Sequence, residues 1–120
     1  MKINLKEKFT KINNHWHPYI IGELNENFVK LAKLKGELVW HSHQEEDEMF
    51  VVLSGTLMMD FRDGKTISTE SGEILIVPKG VEHRPWTNGE VVMVMLIEPK
   101  TTRHTGEIKV PQTVGKLEWI

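Results

Sequence analysis

Cysteine is absent from this 120-residue sequence, which excludes disulfides, thiolate metal ligands and cysteine nucleophiles. Any bound metal must therefore use nitrogen and oxygen donors. Neither sign of charge is in excess: 15 Lys and Arg stand against 17 Asp and Glu, a formal net charge of -2, so the basic balance of a general nucleic-acid binder is missing. No run of about 18 apolar residues is available to span a membrane. Met1-Lys2-Ile3-Asn4-Leu5-Lys6-Glu7-Lys8 also lacks the apolar stretch of a secretory signal. The resulting expectations are a cytoplasmic protein with no nucleic-acid partner and no membrane partner. Low-complexity stretches, long linkers and internal repeats are missing too. Two separate cores in this chain would have about 60 residues each, a marginal size, so one domain is expected. Its 39% hydrophobic content is low enough for solubility and high enough for a core.

The residues that are present alternate between strand formers and turn formers. Leu5, Phe9 and Ile12 fall on one face of a short helix predicted over 4–12. Beyond Pro18, strands are predicted over 19–24 and 28–34, divided by the polar turn Asn25-Glu26-Asn27. Further strands are predicted over 38–43, 49–53, 56–62, 66–69, 73–77, 84–87 and 91–97, all rich in β-branched, aromatic or large apolar residues. Ser54-Gly55, Asp63-Gly64, Ser71-Gly72, Pro78-Lys79-Gly80 and Asn88-Gly89 punctuate them at the spacing of a sandwich or barrel. The expected fold is all-β, an antiparallel barrel or jelly roll preceded by a short helix. In this division 1–18 is an N-terminal extension, 19–110 the barrel and 111–120 a tail.

His41-Ser42-His43 ends a predicted strand, and residues two apart on a strand project to the same side. Both imidazoles can converge. Glu48 opens the next strand, and hairpin pairing brings its carboxylate beside the two rings. His83 arrives from another segment, just after Pro78-Lys79-Gly80, to make a fourth donor. Three imidazoles and a carboxylate suit one divalent transition metal ion, Zn, Mn, Fe, Ni or Cu, whereas Ca and Mg prefer a mostly oxygen shell.

These residues resemble the two motifs of the cupin superfamily. In the first, G-x5-H-x-H-x3–4-E-x6-G, His41, His43, Glu48 and Gly55 match, and Gly36 stands one residue closer than the pattern asks. In the second, G-x5-P-x-G-x2-H-x3-N, Gly72, Pro78, Gly80 and His83 match, with Thr87 in place of Asn. The short gap between the motifs is similar to that of small single-domain bacterial cupins, loosely grouped with mannose-6-phosphate isomerase-like proteins. The resemblance implies a double-stranded β-helix barrel, a metal held by His41, His43, Glu48 and His83, and a homodimer. It further implies a metal-dependent enzyme of oxygenase, isomerase or lyase type acting on a small-molecule substrate. A second expectation is a non-enzymatic barrel that binds or senses a small ligand, and a third is a metal-free sugar epimerase.

Several other features carry plainer readings. His15-Trp16-His17 repeats the H-x-H pattern without a nearby carboxylate, and His104 reads as a solvated tail residue without a site role. Glu45, Glu46 and Asp47 read as a solvated turn whose negative field favours a cation. The same field favours protonated imidazoles in the metal-free protein, so metal binding is expected to weaken below about pH 6. Phe50, Val52, Ile74 and Ile76 are candidates to line the pocket. Trp40 and Trp86 could wall it, or equally lie in the core or at a dimer interface.

Overall fold

The computed structural model describes residues 1–106 and 108–120. Asn4 caps helix α1 (Leu5–Phe9) by accepting the Glu7 N–H at 3.0 Å. The helix is shorter than 4–12 because the Thr10 hydroxyl bonds back to the Glu7 carbonyl at 2.6 Å, competing with the helical ladder.

The strands are β1 (Tyr19–Leu24), β2 (Asn27–Leu34), β3 (Glu48–Ser54), β4 (Thr56–Phe61), β5 (Thr66–Glu70), β6 (Ile74–Val77), β7 (His83–Trp86) and β8 (Val92–Pro99). They form a five-stranded sheet in the order β1-β2-β8-β3-β6 and a three-stranded sheet in the order β5-β4-β7, with all strand pairs antiparallel. Period-two patterning separates the faces. Along β8, Val92, Val94, Leu96 and Glu98 are buried while Met93, Met95 and Ile97 lie on the other side. The inward set joins Ala32, Leu34, Phe50, Val52, Leu57, Met59 and Val77 in the core between the sheets. On the outer side of the large sheet, Phe9 and Ile12 seal a second cluster with Ile21 and Leu31, backed by Met93 and Met95. No helix among the described residues is long and apolar enough to cross a membrane.

One predicted strand fails. Segment 38–43 has no continuous ladder: it makes one isolated bridge to β7, His41↔His83, with another at Glu37↔Trp86 just before it. Between those bridges Leu38 donates to the Pro85 carbonyl at 3.0 Å, and Pro85 has no N–H with which to answer. The two motifs are also clipped together at their far ends. The Gly36 N–H donates to the Thr87 hydroxyl at 2.8 Å and the Thr87 N–H donates to the Gly36 carbonyl at 2.8 Å. Thr87, which replaces the motif's Asn, therefore has a defined structural task.

Candidate metal centre

Each predicted donor is delivered by a different local device. His41 and His83 exchange backbone hydrogen bonds, His41 N–H to His83 O at 3.0 Å and His83 N–H to His41 O at 2.9 Å. Their rings therefore lie side by side, tilted 55° to one another, with centroids 4.4 Å apart. His43 follows two residues on, and its carbonyl accepts the Gly80 N–H at 2.7 Å. Gly80 makes this approach at φ 79°, a conformation that side chains disfavour. Glu48 is the first residue of β3, paired with Val77. The result is one buried cluster, His41, His43, Glu48 and His83, whose candidate donor atoms all lie within 4.8 Å of one another. Among the described residues it is the only such group of three or more.

The donor atoms point at each other without satisfying each other. His41 Nδ1 and His83 Nδ1 each donate to a backbone carbonyl two residues back, Val39 O at 2.8 Å and Val81 O at 2.9 Å. That fixes their tautomers and leaves Nε2 with a free lone pair. His43 Nε2 and His83 Nε2 each stand 3.4 Å from Glu48 Oε1, and all three atoms are buried without a hydrogen-bond partner. A buried polar atom left unpaired costs about 1–3 kcal/mol. A cation among them would satisfy all three at once. The 3.4 Å spacing also fits: two donors each about 2.1 Å from a tetrahedral ion stand about 3.4 Å apart.

A charged layer that sequence reasoning missed lies behind Glu48. Lys30 Nζ and Glu98 Oε1 are 2.6 Å apart, both side chains almost wholly buried. Burial would raise the Glu48 pKa, but contacts with His43, His83 and Glu98 outweigh it and hold the carboxyl well below its ordinary range. Glu98 shifts the opposite way. Burial, and then the Glu48 charge, push it well above the usual carboxylate range, against the pull of Lys30. The two carboxyls titrate as a pair in which the proton favours Glu98. A signal for both residues was available, since Lys30 and Glu98 occupy the inward phase of otherwise apolar strands.

A narrow cavity of about 30 Å³ adjoins His41 and Glu48, walled by Trp16, Leu38, Phe50 and Leu96. Trp16 is held there by its indole N–H, which donates to the Lys35 carbonyl at 2.8 Å. His15 is exposed and His17 stacks on Tyr19 at 4.4 Å, so the second H-x-H does not join the cluster. Trp40 and Trp86 do not line this cavity. Trp40 lies under the Arg62 guanidinium at 4.0 Å, and Trp86 donates to Asp60 at 2.9 Å. Phe50 lines the cavity as expected, but Val52 lies in the core without lining it, and Ile74 and Ile76 are exposed. The register Glu48↔Val77 and Phe50↔Leu75 places Leu75 and Val77 on the inner phase instead. His104 also departs from expectation. It is half-buried and lines the cavity with His41 and Glu48, because residues beyond β8 turn back over the barrel mouth.

Residues 27–99 match the cupin domain family. The solved structure of a cupin-2 domain containing protein from Shewanella frigidimarina NCIMB 400 is similar at 46% identity and a TM-score of 0.78, over 82% of this chain and 94% of that one. Protein NMB1881 from Neisseria meningitidis is 34% identical with a TM-score of 0.75, over 83% of this chain and all of the other. An uncharacterized protein of Bacillus subtilis (strain 168), YdbB, is 42% identical over 66 residues, 55% of this chain. That match spans 58% of YdbB, less than two thirds of its length.

The acidic turn does not favour a protonated ring at His41. Burial first, and then the neighbouring His83, lower its pKa to about 4, although the Val39 carbonyl and Glu48 pull the other way. The unfolded chain, with an ordinary value near 6.5, takes up this proton first. Stability of the metal-free protein is therefore lost as pH falls from about 6.5 towards 4, by about 2 kcal/mol at pH 5 from His41 alone. Urea unfolding of chelator-treated protein at pH 7 and pH 5 checks this, and equal or greater stability at pH 5 contradicts it.

Proposed function

Because the chain belongs to the cupin domain family, we propose that it is a metal-binding protein acting as a metal-dependent enzyme on a small molecule. The observation that carries the metal is the trio of buried, unpartnered atoms His43 Nε2, His83 Nε2 and Glu48 Oε1, completed by the free Nε2 of His41. These four residues would hold one divalent transition ion. Such an ion supplies Lewis-acid polarisation of a carbonyl or hydroxyl, or one-electron chemistry if redox-active. Oxygenase, isomerase and lyase reactions all fall within that range.

The protein's own contributions are clearer in kind. The Val39 and Val81 carbonyls lock the imidazoles in the tautomer that presents Nε2. Glu98, together with His43 and His83, holds Glu48 as a carboxylate beside the rings. The apolar walls formed by Trp16, Leu38, Phe50 and Leu96 exclude bulk water, which strengthens every electrostatic interaction inside. A non-enzymatic ligand-binding barrel is the alternative reading, favoured by the small cavity of about 30 Å³, room for only one or two water-sized molecules.

Adding zinc or manganese to metal-free protein at about 100 times its dissociation constant should raise the melting temperature by about 10 °C. Glu48→Ala and His83→Ala should abolish the rise, and a rise of equal size in both variants would remove the cluster from consideration. Turnover screens of the loaded protein against sugars, hydroxy acids and diketones then separate enzyme from binding module.

We also propose a homodimer joined along β6. This strand lies at the sheet edge, Ile74 and Ile76 are 56% and 55% exposed, and no charge or proline interrupts Ile74–Val77. Antiparallel pairing with β6 of a second copy satisfies the open edge and covers both isoleucines. Sedimentation should give twice the 13.9 kDa chain mass, reduced to one chain by Ile76→Lys. A monomeric wild type contradicts the pairing.

A further inference from the structure

Among the polar side chains that line the cavity, His41 and Glu48 belong to the metal cluster, and one does not. That one is His104. It lines two spaces, this cavity and a second pocket also lined by Lys100, Thr102, Val114 and Leu117. Val114, which lines the second pocket, donates its N–H to His104 Nδ1 at 3.1 Å. A neutral imidazole whose Nδ1 accepts must carry its proton on Nε2. The opposite edge of the ring, facing away from Val114, is thus an N–H donor. The local chain is built to keep it there. The Thr105 hydroxyl bonds to the Ile108 carbonyl and pairs with the Thr113 hydroxyl at 2.6 Å. Gly106 packs so closely on Ser42 that a Cβ would overlap the Ser42 carbonyl oxygen, which ties this segment directly to the His41-Ser42-His43 run.

We propose that His104 is a ligand-binding residue of this site, its Nε2–H the hydrogen-bond donor for a small molecule with an oxygen or nitrogen acceptor seated beside His41 and Glu48. The inference rests on the metal-binding reading and extends it to the non-protein ligand. Apolar walls and a single donor select a compact ligand with one accepting atom near the metal. A cavity of about 30 Å³ keeps that ligand small while the segment is docked. The donor also stays neutral: burial, the largest influence, lowers the His104 pKa to about 4, with Glu48 opposing and His17, Lys30 and His43 reinforcing. It therefore offers a proton for hydrogen bonding without adding a positive charge beside the metal.

The test uses azide as the probe and cobalt(II)-loaded full-length protein, followed by visible absorption. Wild type, His104→Ala and His104→Gln should each hold about one equivalent of cobalt. Azide should bind the alanine variant about tenfold more weakly, the loss of one hydrogen bond, with partial recovery in the glutamine variant, which keeps an N–H donor. Unchanged azide affinity at full cobalt occupancy overturns the proposal, as does cobalt loss in a folded His104→Ala protein, which would make His104 a metal ligand instead. Absence of cobalt from the wild type overturns the metal reading itself. A measurement on the unaltered chain guards against a variant that fails to fold. In zinc-loaded protein, nitrogen-15 imidazole spectra should show His104 protonated at Nε2, with that N–H shifted by azide. An Nδ1-protonated ring, or no shift at azide saturation, overturns the assignment.

Discussion

The reciprocal backbone hydrogen bonds between His41 and His83 are the constraint on which the site depends. They join an irregular segment to the first residue of β7 and fix two imidazoles 4.4 Å apart. Everything else in the cluster is positioned relative to that pair. The Gly80 N–H holds the His43 carbonyl, the Gly36–Thr87 clip closes the far end, and β3 begins with its Glu48 side chain directed into the gap. Backbone bonds of this kind hold the donors in place whether or not the side-chain atoms are satisfied. A site left with unpaired buried atoms can persist only on such a frame.

Electrostatics then distinguish the members of the site. Burial opposes charge on His41, Glu48 and Glu98, yet Glu48 stays ionised because neighbours on two sides stabilise its carboxylate. Glu98 accepts the complementary role, and Lys30 supplies a positive charge that the apolar interior otherwise lacks. Buried ionisable groups of this kind contribute little net stability. Their placement behind Glu48, in the cluster that could hold a metal, gives them a reason to be there.

Much of this was legible in the sequence, for identifiable reasons. The turn residues and the alternation in 92–98 mark short antiparallel strands, and the spacing of His41, His43, Glu48 and His83 marks their convergence. Four features were not legible. Segment 38–43 has the composition of a strand, but its ladder depends on Pro85, 42 positions beyond His43. Ile74 and Ile76 differ from Leu75 and Val77 only in register, and a one-residue shift exchanges the two faces of a strand. His104 is brought back to the barrel mouth by long-range packing that no local pattern announces. Trp16 gives no local sign of its place, because its left-handed backbone at φ 57° and its indole bond to Lys35, which fix it as a cavity wall, arise from the fold.

The central claim is that His41, His43, Glu48 and His83 hold one metal ion, and elemental analysis of untagged protein purified without chelator tests it most directly. The wild type should carry close to one equivalent of a transition metal, lost in both His41→Ala and Glu48→Ala while the barrel remains folded. Protein that contains no metal and takes none up when zinc, manganese, iron, nickel or copper is added would contradict it.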